Sequence, residues 1–122
     1  MLENLKEAVN QVIKDISIDN FSLTISFENG LEIEIIDVMK NCCEDRYMST
    51  DDDLQYFVGS VFLEAEIKEG PENSYGHDVE FFEIKTSKGY FTIVSHNEHN
   101  GYYGGFDLCA FIRKKPKKEI NQ

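Results

Sequence analysis

Apolar residues in the first segment follow three- and four-residue steps, Leu2, Leu5, Val9, Val12 and Ile16, with Glu3, Lys6, Glu7, Lys14 and Asp15 between them. Side chains at that spacing share one stripe of a helix, so the pattern predicts an amphipathic N-terminal helix of about four turns. The stripe is narrow, widened only slightly by Ile13; the spacing fits a helix lying on the domain's own sheet as well as one pairing with a second subunit, and self-association is expected because a narrow seam is the commoner mark of helices that pair. The period then changes to two. Phe21, Leu23, Ile25 and Phe27 alternate with Ser22, Thr24 and Ser26, and Leu31, Ile33 and Ile35 alternate with Glu32 and Glu34. Glu28-Asn29-Gly30 lies between the two runs, predicting a hairpin with one face in the core, one face wet, and Gly30 in a left-handed turn position.

Residues 41–48 show no period. Thr50-Asp51-Asp52-Asp53 then precedes Leu54, Phe57 and Val58, with Gly59 behind, which predicts a short capped helix. A calcium loop spreads its ligands over about twelve positions, and the three aspartates do not. Val61, Leu63, Ala65 and Ile67 alternate as a further strand, residues 69–76 form a loop, and residues 77–86 form the next strand. Within it Phe81 and Phe82 must point to opposite faces, and Phe81 is assigned to the core and Phe82 to the outside. Ser87-Lys88-Gly89 turns into a strand at 90–94, and a last strand follows at 106–112. The expected fold is α+β and a single domain over 1–122: the N-terminal amphipathic helix, an antiparallel sheet of hairpins with about five to six strands, and one short internal helix.

Charge and composition narrow the function. The 122 residues include 12 basic and 23 acidic ones, a net of −11, which opposes binding to a long nucleic acid. Arg113, Lys114, Lys115, Lys117 and Lys118 are nonetheless clustered, and such an arm can form a local positive wall for a small phosphorylated ligand. No apolar run approaches the roughly 18 residues of a membrane span, and the first residues do not read as a signal peptide, so a cytoplasmic protein without a membrane partner is expected. Three cysteines, two of them adjacent as Cys42-Cys43, suit reduced thiols better than a disulfide framework.

The richest chemistry lies in Ser95-His96-Asn97-Glu98-His99-Asn100-Gly101-Tyr102-Tyr103-Gly104-Gly105. Roughly eleven residues between two strands is long for a hairpin, and such loops are kept for binding or catalysis. Zinc is disfavoured: Cys42, Cys43, Cys109, His96 and His99 supply the ligand types but no Cys-x-x-Cys or His-Glu-x-x-His spacing. No nucleophile elbow accompanies the cysteines or histidines, so an enzyme is the minority reading, with a histidine-dependent hydrolase as its form. Neither a catalytic residue, a metal nor a cofactor is assigned. Nucleotide binding suits the residue types better, with π-faces for a base from Phe82, Tyr102 and Tyr103, a guanidinium from Arg113, and amide and imidazole groups from Asn97, Asn100 and His96. Two stacking contacts at ~1–3 kcal/mol and three charge-assisted bonds at ~1.5–3 kcal/mol total ~6–15 kcal/mol before ordering costs. Micromolar to nanomolar binding needs about 8 to 12 kcal/mol.

Asn41-Cys42-Cys43-Glu44, Asp51-Asp52-Asp53-Leu54 and the segment from Ser95 to Phe106 together resemble a family of small phage proteins, the first type of Thoeris anti-defence protein. The resemblance covers most of residues 41–112. It implies a sponge that holds a cyclic ADP-ribose isomer (glycocyclic ADP-ribose), the signal made by a bacterial TIR-domain immune enzyme, intact and in pockets between subunits. It also implies a homo-oligomer, a dimer or trimer of dimers, and similar proteins hold cyclic oligonucleotides at separate sites. On this resemblance Phe82 and Arg113 surround the adenine and phosphates, and Asn97, Asn100, Tyr102 and Tyr103 act from the loop. The competing class is an acidic inhibitor that docks on a host protein in the manner of a DNA mimic. The dispersal of acidic residues over turns, helix starts and wet strand faces speaks against that class.

Overall fold

A computed structural model describes residues 3–37, 45–70, 77–98 and 108–114. Among them eight strands run in the order β1 (Ile13–Ile18), β2 (Ser22–Phe27), β3 (Leu31–Asp37), β4 (Asp45–Ser49), β5 (Phe62–Glu69), β6 (His77–Thr86), β7 (Gly89–Glu98) and β8 (Leu108–Lys114). They form two four-stranded antiparallel sheets, ordered β1-β2-β3-β8 and β4-β7-β6-β5. The inward faces of both sheets contribute to one apolar core, with Leu23, Ile25, Ile33 and Ile35 from the first and Phe62, Phe82, Ile84, Phe91 and Ile93 from the second. Phe27 meets Phe62 edge-on across the core at 5.7 Å between ring centres. The first sheet is stitched to the second at β1 and β5, where Val12 bridges Val61 and the Asn10 amide donates to the Phe62 carbonyl at 2.8 Å.

This all-β architecture replaces the expected α+β fold. The N-terminal segment forms only a six-residue 3-10 helix, Glu3–Ala8, and the chain then turns through Asn10 at φ 72° and enters β1. The three-residue step from Ile13 to Ile16 that imitates a helical period comes from a β-bulge. Ile13 pairs with Phe27 and Asp15 with Ser26, so one extra residue shifts the alternation and both isoleucines face inward. A bulge reverses the parity of a strand, and the β-branched Val12, Ile13, Ile16 and Ile18 favour extended backbone over helix. The pairing stripe therefore does not exist: Ile13 and Ile16 are core, whereas Val12 is 39% exposed.

The internal helix is a single 3-10 turn, Leu54–Phe57, whose N-cap Asp53 accepts from the Gln55 amide at 3.2 Å. Lys88 closes its other end by donating to the Tyr56 and Val58 carbonyls at 3.2 and 3.3 Å. Two further strands lie where none was predicted, β1 and β4, and β7 continues through Glu98. Ser95, His96 and Asn97 are thus strand residues held by β4 and β6, not loop residues. No helix among the described residues is long and apolar enough to cross a membrane.

Candidate functional site

β6 and β7 are ten residues each, and their side chains change character along their length. At one end the inward positions are Phe82, Ile84, Phe91 and Ile93; at the other they are Asp78, Glu80, Ser95 and Asn97. Neighbouring strands add Arg46 beside Asn97, and Asp37 from the first sheet. Arg46 donates to Asp37 at 2.6 Å, both side chains being almost wholly buried, so this pair ties the two sheets together at the polar end. Burial first, then the charges of Glu69 and Asp37, raise the Glu80 carboxyl above its ordinary range.

The outer face of the same end carries the candidate site. Register sets Tyr47 opposite His96, and His77 opposite Glu98, so β4, β7 and β6 each contribute a ring to one surface. Tyr47 and His96 stack with centres 4.3 Å apart and planes 11° apart, and His96 and His77 continue the ladder at 5.3 Å and 29°. Hydrogen bonds hold these rings. Ser49 Oγ lies 2.8 Å from His96 Nε2, and His77 Nε2 lies 3.0 Å from His96 Nδ1. Tyr47 donates its phenolic proton to Glu98, and that bond raises the Tyr47 pKa. The His96 pKa is lowered, by burial and then by His77, with Glu98 opposing. His96 is therefore a neutral imidazole at neutral pH, with both nitrogens engaged. Chemically the cluster offers aromatic faces, a serine hydroxyl, two imidazoles and a carboxylate on a rigid sheet.

Only part of the predicted constellation gathers here. His96 is central. Asn97 is its neighbour but points the other way, fully buried between the sheets in the row of Arg46 and Asp78. Phe82 is fully buried as well, in register with Ile67 and Ile93, which reverses its assignment as an outward stacking residue. Its partner Phe81 lies half-buried on the outer face, opposite Val94 and Lys68. The pattern contains the reason: Asp78, Glu80, Phe82, Ile84 and Thr86 share one face, while Phe81 shares the other with the charged Glu83 and Lys85.

Arg113 lies at the far end of β8. Leu108 pairs with Asp37 at the polar end, and Arg113 with Glu32 five residues later, a separation of about 17 Å along the strand. There its guanidinium sits 3.0 Å from Glu32 and 3.4 Å from Glu34, and the bond to Glu32 leads in raising its pKa further. It also lines an open depression of about 420 Å³ with Glu7, Asn29, Leu31, Ile112 and Lys114. A single chain thus does not bring Arg113 to His96. Asn100, Tyr102 and Tyr103 lie outside the described residues, as do His99, Cys42 and Cys43.

Tyr47, Ser49 and His77 were missed as site residues. Tyr47 and Ser49 stand in a stretch without evident period, although Arg46 and Met48 inward with Tyr47 and Ser49 outward do alternate. His77 stands at a strand start with no motif around it, and only the pairing of β6 with β7 brings it to His96. Comparison with curated proteins and with solved structures found no match. A family model covers residues 6–108, a span that includes Tyr47, Ser49, His77, His96 and Glu98 but not Arg113, and the chain belongs to that family, described as Domain of unknown function (DUF7448).

Proposed function

We propose that this protein binds a small planar nucleotide without converting it and so removes a signal from solution, the ligand being a cyclic ADP-ribose isomer. The observation that carries the reading is the Tyr47, His96 and His77 ladder, preformed on a sheet face and hydrogen-bonded on both sides of its central ring. Aromatic faces on a rigid strand platform recognise bases at ~1–3 kcal/mol per stacked base. The ladder also adjoins the point where β7 ends at Glu98, and the next residues, His99 to Gly105, carry the glycine- and tyrosine-rich motif on which the phage-family resemblance rests. On this reading the protein acts in the cytoplasm of an infected bacterium, depleting the signal of TIR-based immunity. A pocket that uses both Arg113 and the ladder takes them from different subunits, since about 17 Å of β8 separates Arg113 from the polar end.

One observation favours a second reading. Ser49, His96 and His77 form a hydrogen-bonded chain in the order of a nucleophile, a base and an orienting group, which a hydrolase would use to activate Ser49. A binder favours the ligand ground state, whereas an enzyme favours the transition state and releases product. Incubation of the protein in molar excess with glycocyclic ADP-ribose, heat denaturation, and mass spectrometry of the released nucleotide separates the two. Return of intact ligand in proportion to sites supports sequestration. Linear ADP-ribose that accumulates with time and disappears in Ser49→Ala establishes the hydrolase.

A further inference from the structure

We propose that Asn20 and Phe21, on the turn between β1 and β2, complete the recognition surface, and that a flat nitrogen heterocycle of the nucleobase class stacks between Phe21 and the outer side of Tyr47. The inference rests on reading the ladder as a surface for planar rings, and adds to it a second element of the fold and a direction of approach. Tyr47 is the terminal ring of the ladder: β4 is an edge strand of its sheet, and His96 of the adjacent β7 covers one side of the Tyr47 ring at 4.3 Å. A further ring therefore extends the stack only from the β4 edge.

The turn between β1 and β2 stands at that edge. The Met48 amide of β4 donates to the Asn20 carbonyl at 2.9 Å, which fixes the turn against the strand, and Asn20 and Phe21 line one crevice with Tyr47 and the Arg46–Asp37 pair. The crevice holds only about 10 Å³, too little for a ring, so the heterocycle lies across its mouth. The turn is rigidly built. One oxygen of the Asp19 carboxylate accepts from the Phe21 and Ser22 amides, each at 2.8 Å, and from the Ser22 hydroxyl at 3.3 Å, while the Asp19 amide donates to the Ser22 carbonyl at 3.0 Å. A side chain presented on so fixed a backbone has little backbone freedom left to lose on binding. Phe21 is nonetheless 64% exposed. A single exposed ring needs no function by itself; here the ring, the crevice and the open end of the ladder coincide. Asn20 is exposed beside it, and its amide offers both donor and acceptor to a ring edge, which favours a nitrogen heterocycle over a hydrocarbon ring.

The test uses the full chain and glycocyclic ADP-ribose as the probe. In calorimetric titration Phe21→Ala should weaken binding at least about fivefold, the low end of what one stacked base contributes, with an unchanged melting temperature. The chain has no tryptophan, so Phe21→Trp places its sole indole at the crevice. Saturable quenching of that fluorescence, with a midpoint matching the calorimetric one, is expected. Should Phe21→Ala fail to fold, the Phe21→Trp titration decides. Wild-type affinity in a folded Phe21→Ala while His96→Ala loses affinity overturns this inference and leaves the ladder standing as the recognition surface. So does indole emission that ignores saturating ligand. Absence of binding by the wild-type chain overturns both.

Discussion

The two ends of the space between the sheets are built from the same strands yet do opposite things. At one end Phe82, Ile84, Phe91 and Ile93 of β6 and β7 close a dry core with Phe27 and Phe62. At the other Asp78, Glu80, Ser95 and Asn97 of those strands meet Arg46 and Asp37, and the outer face carries Tyr47, Ser49, His77 and His96. A strand of ten residues spans about 33 Å, more than the apolar core requires, so the dry half can hold the sheet together while the overhanging half carries polar chemistry. On the proposed reading, recognition lies at the polar end of β6 and β7, whereas the apolar packing lies at the other end of the same strands.

The largest effect expected from breaking the dry end is that of Phe82→Ala, which removes a fully buried ring and should cost about 3–5 kcal/mol in denaturant unfolding. An effect below about 1 kcal/mol would instead make Phe82 a surface residue. At the polar end, Arg46→Met leaves the buried Asp37 carboxylate without its 2.6 Å partner and should cost about 3 kcal/mol, whereas replacing both residues by apolar ones of similar size should recover most of that loss. Chemical denaturation of the two single variants and the double variant checks the coupling.

Smaller effects follow from titration. The folded-state pKa of His96 lies below its ordinary 6.5, so the unfolded chain binds that proton more readily and His96 removes stability as pH falls through and below 6.5. Glu80 has the opposite sign. Its folded-state pKa lies above 4.5, so its burial costs stability at neutral pH and that cost is relieved as pH falls toward 4.5. His96→Gln should therefore flatten the decline of Tm between pH 7 and pH 5, and Glu80→Gln should raise Tm at pH 7. Melting curves across that range check both. The smallest change is expected at the stitched corner, where Val12→Thr, at a 39% exposed position, should shift stability by only about 0.5 kcal/mol. Neighbouring Ile13→Ala, at a buried position, should cost about 2–5 kcal/mol.

Strands with unbroken alternation were legible from residue order. The hairpin of β2 and β3 around Gly30 and the turn at Gly89 follow from period and turn chemistry, and both glycines have positive φ; β5 was legible as a strand but not in its facing, because an irregularity between Phe62 and Glu64 buries Phe62 and leaves Leu63 41% exposed. β1 was not legible as a strand, because its bulge converts a period of two into a helix-like step of three. The orientation of Phe81 and Phe82 was legible in principle, from the charged Glu83 and Lys85 on one parity and Ile84 on the other. His96 was singled out through the motif that contains it, but as a loop residue, whereas it lies within β7. Tyr47, Ser49 and His77 could not be joined to it without strand order, since their proximity depends on which strands pair and in what register.

Isothermal titration of glycocyclic ADP-ribose into wild type and His96→Ala tests most directly whether the polar end is the recognition surface. Loss of the central ring and both its hydrogen bonds should weaken binding at least tenfold, about 1.4 kcal/mol, while circular dichroism shows the β-fold retained. Wild-type affinity in a folded His96→Ala, or no binding by the wild-type chain, would contradict the account.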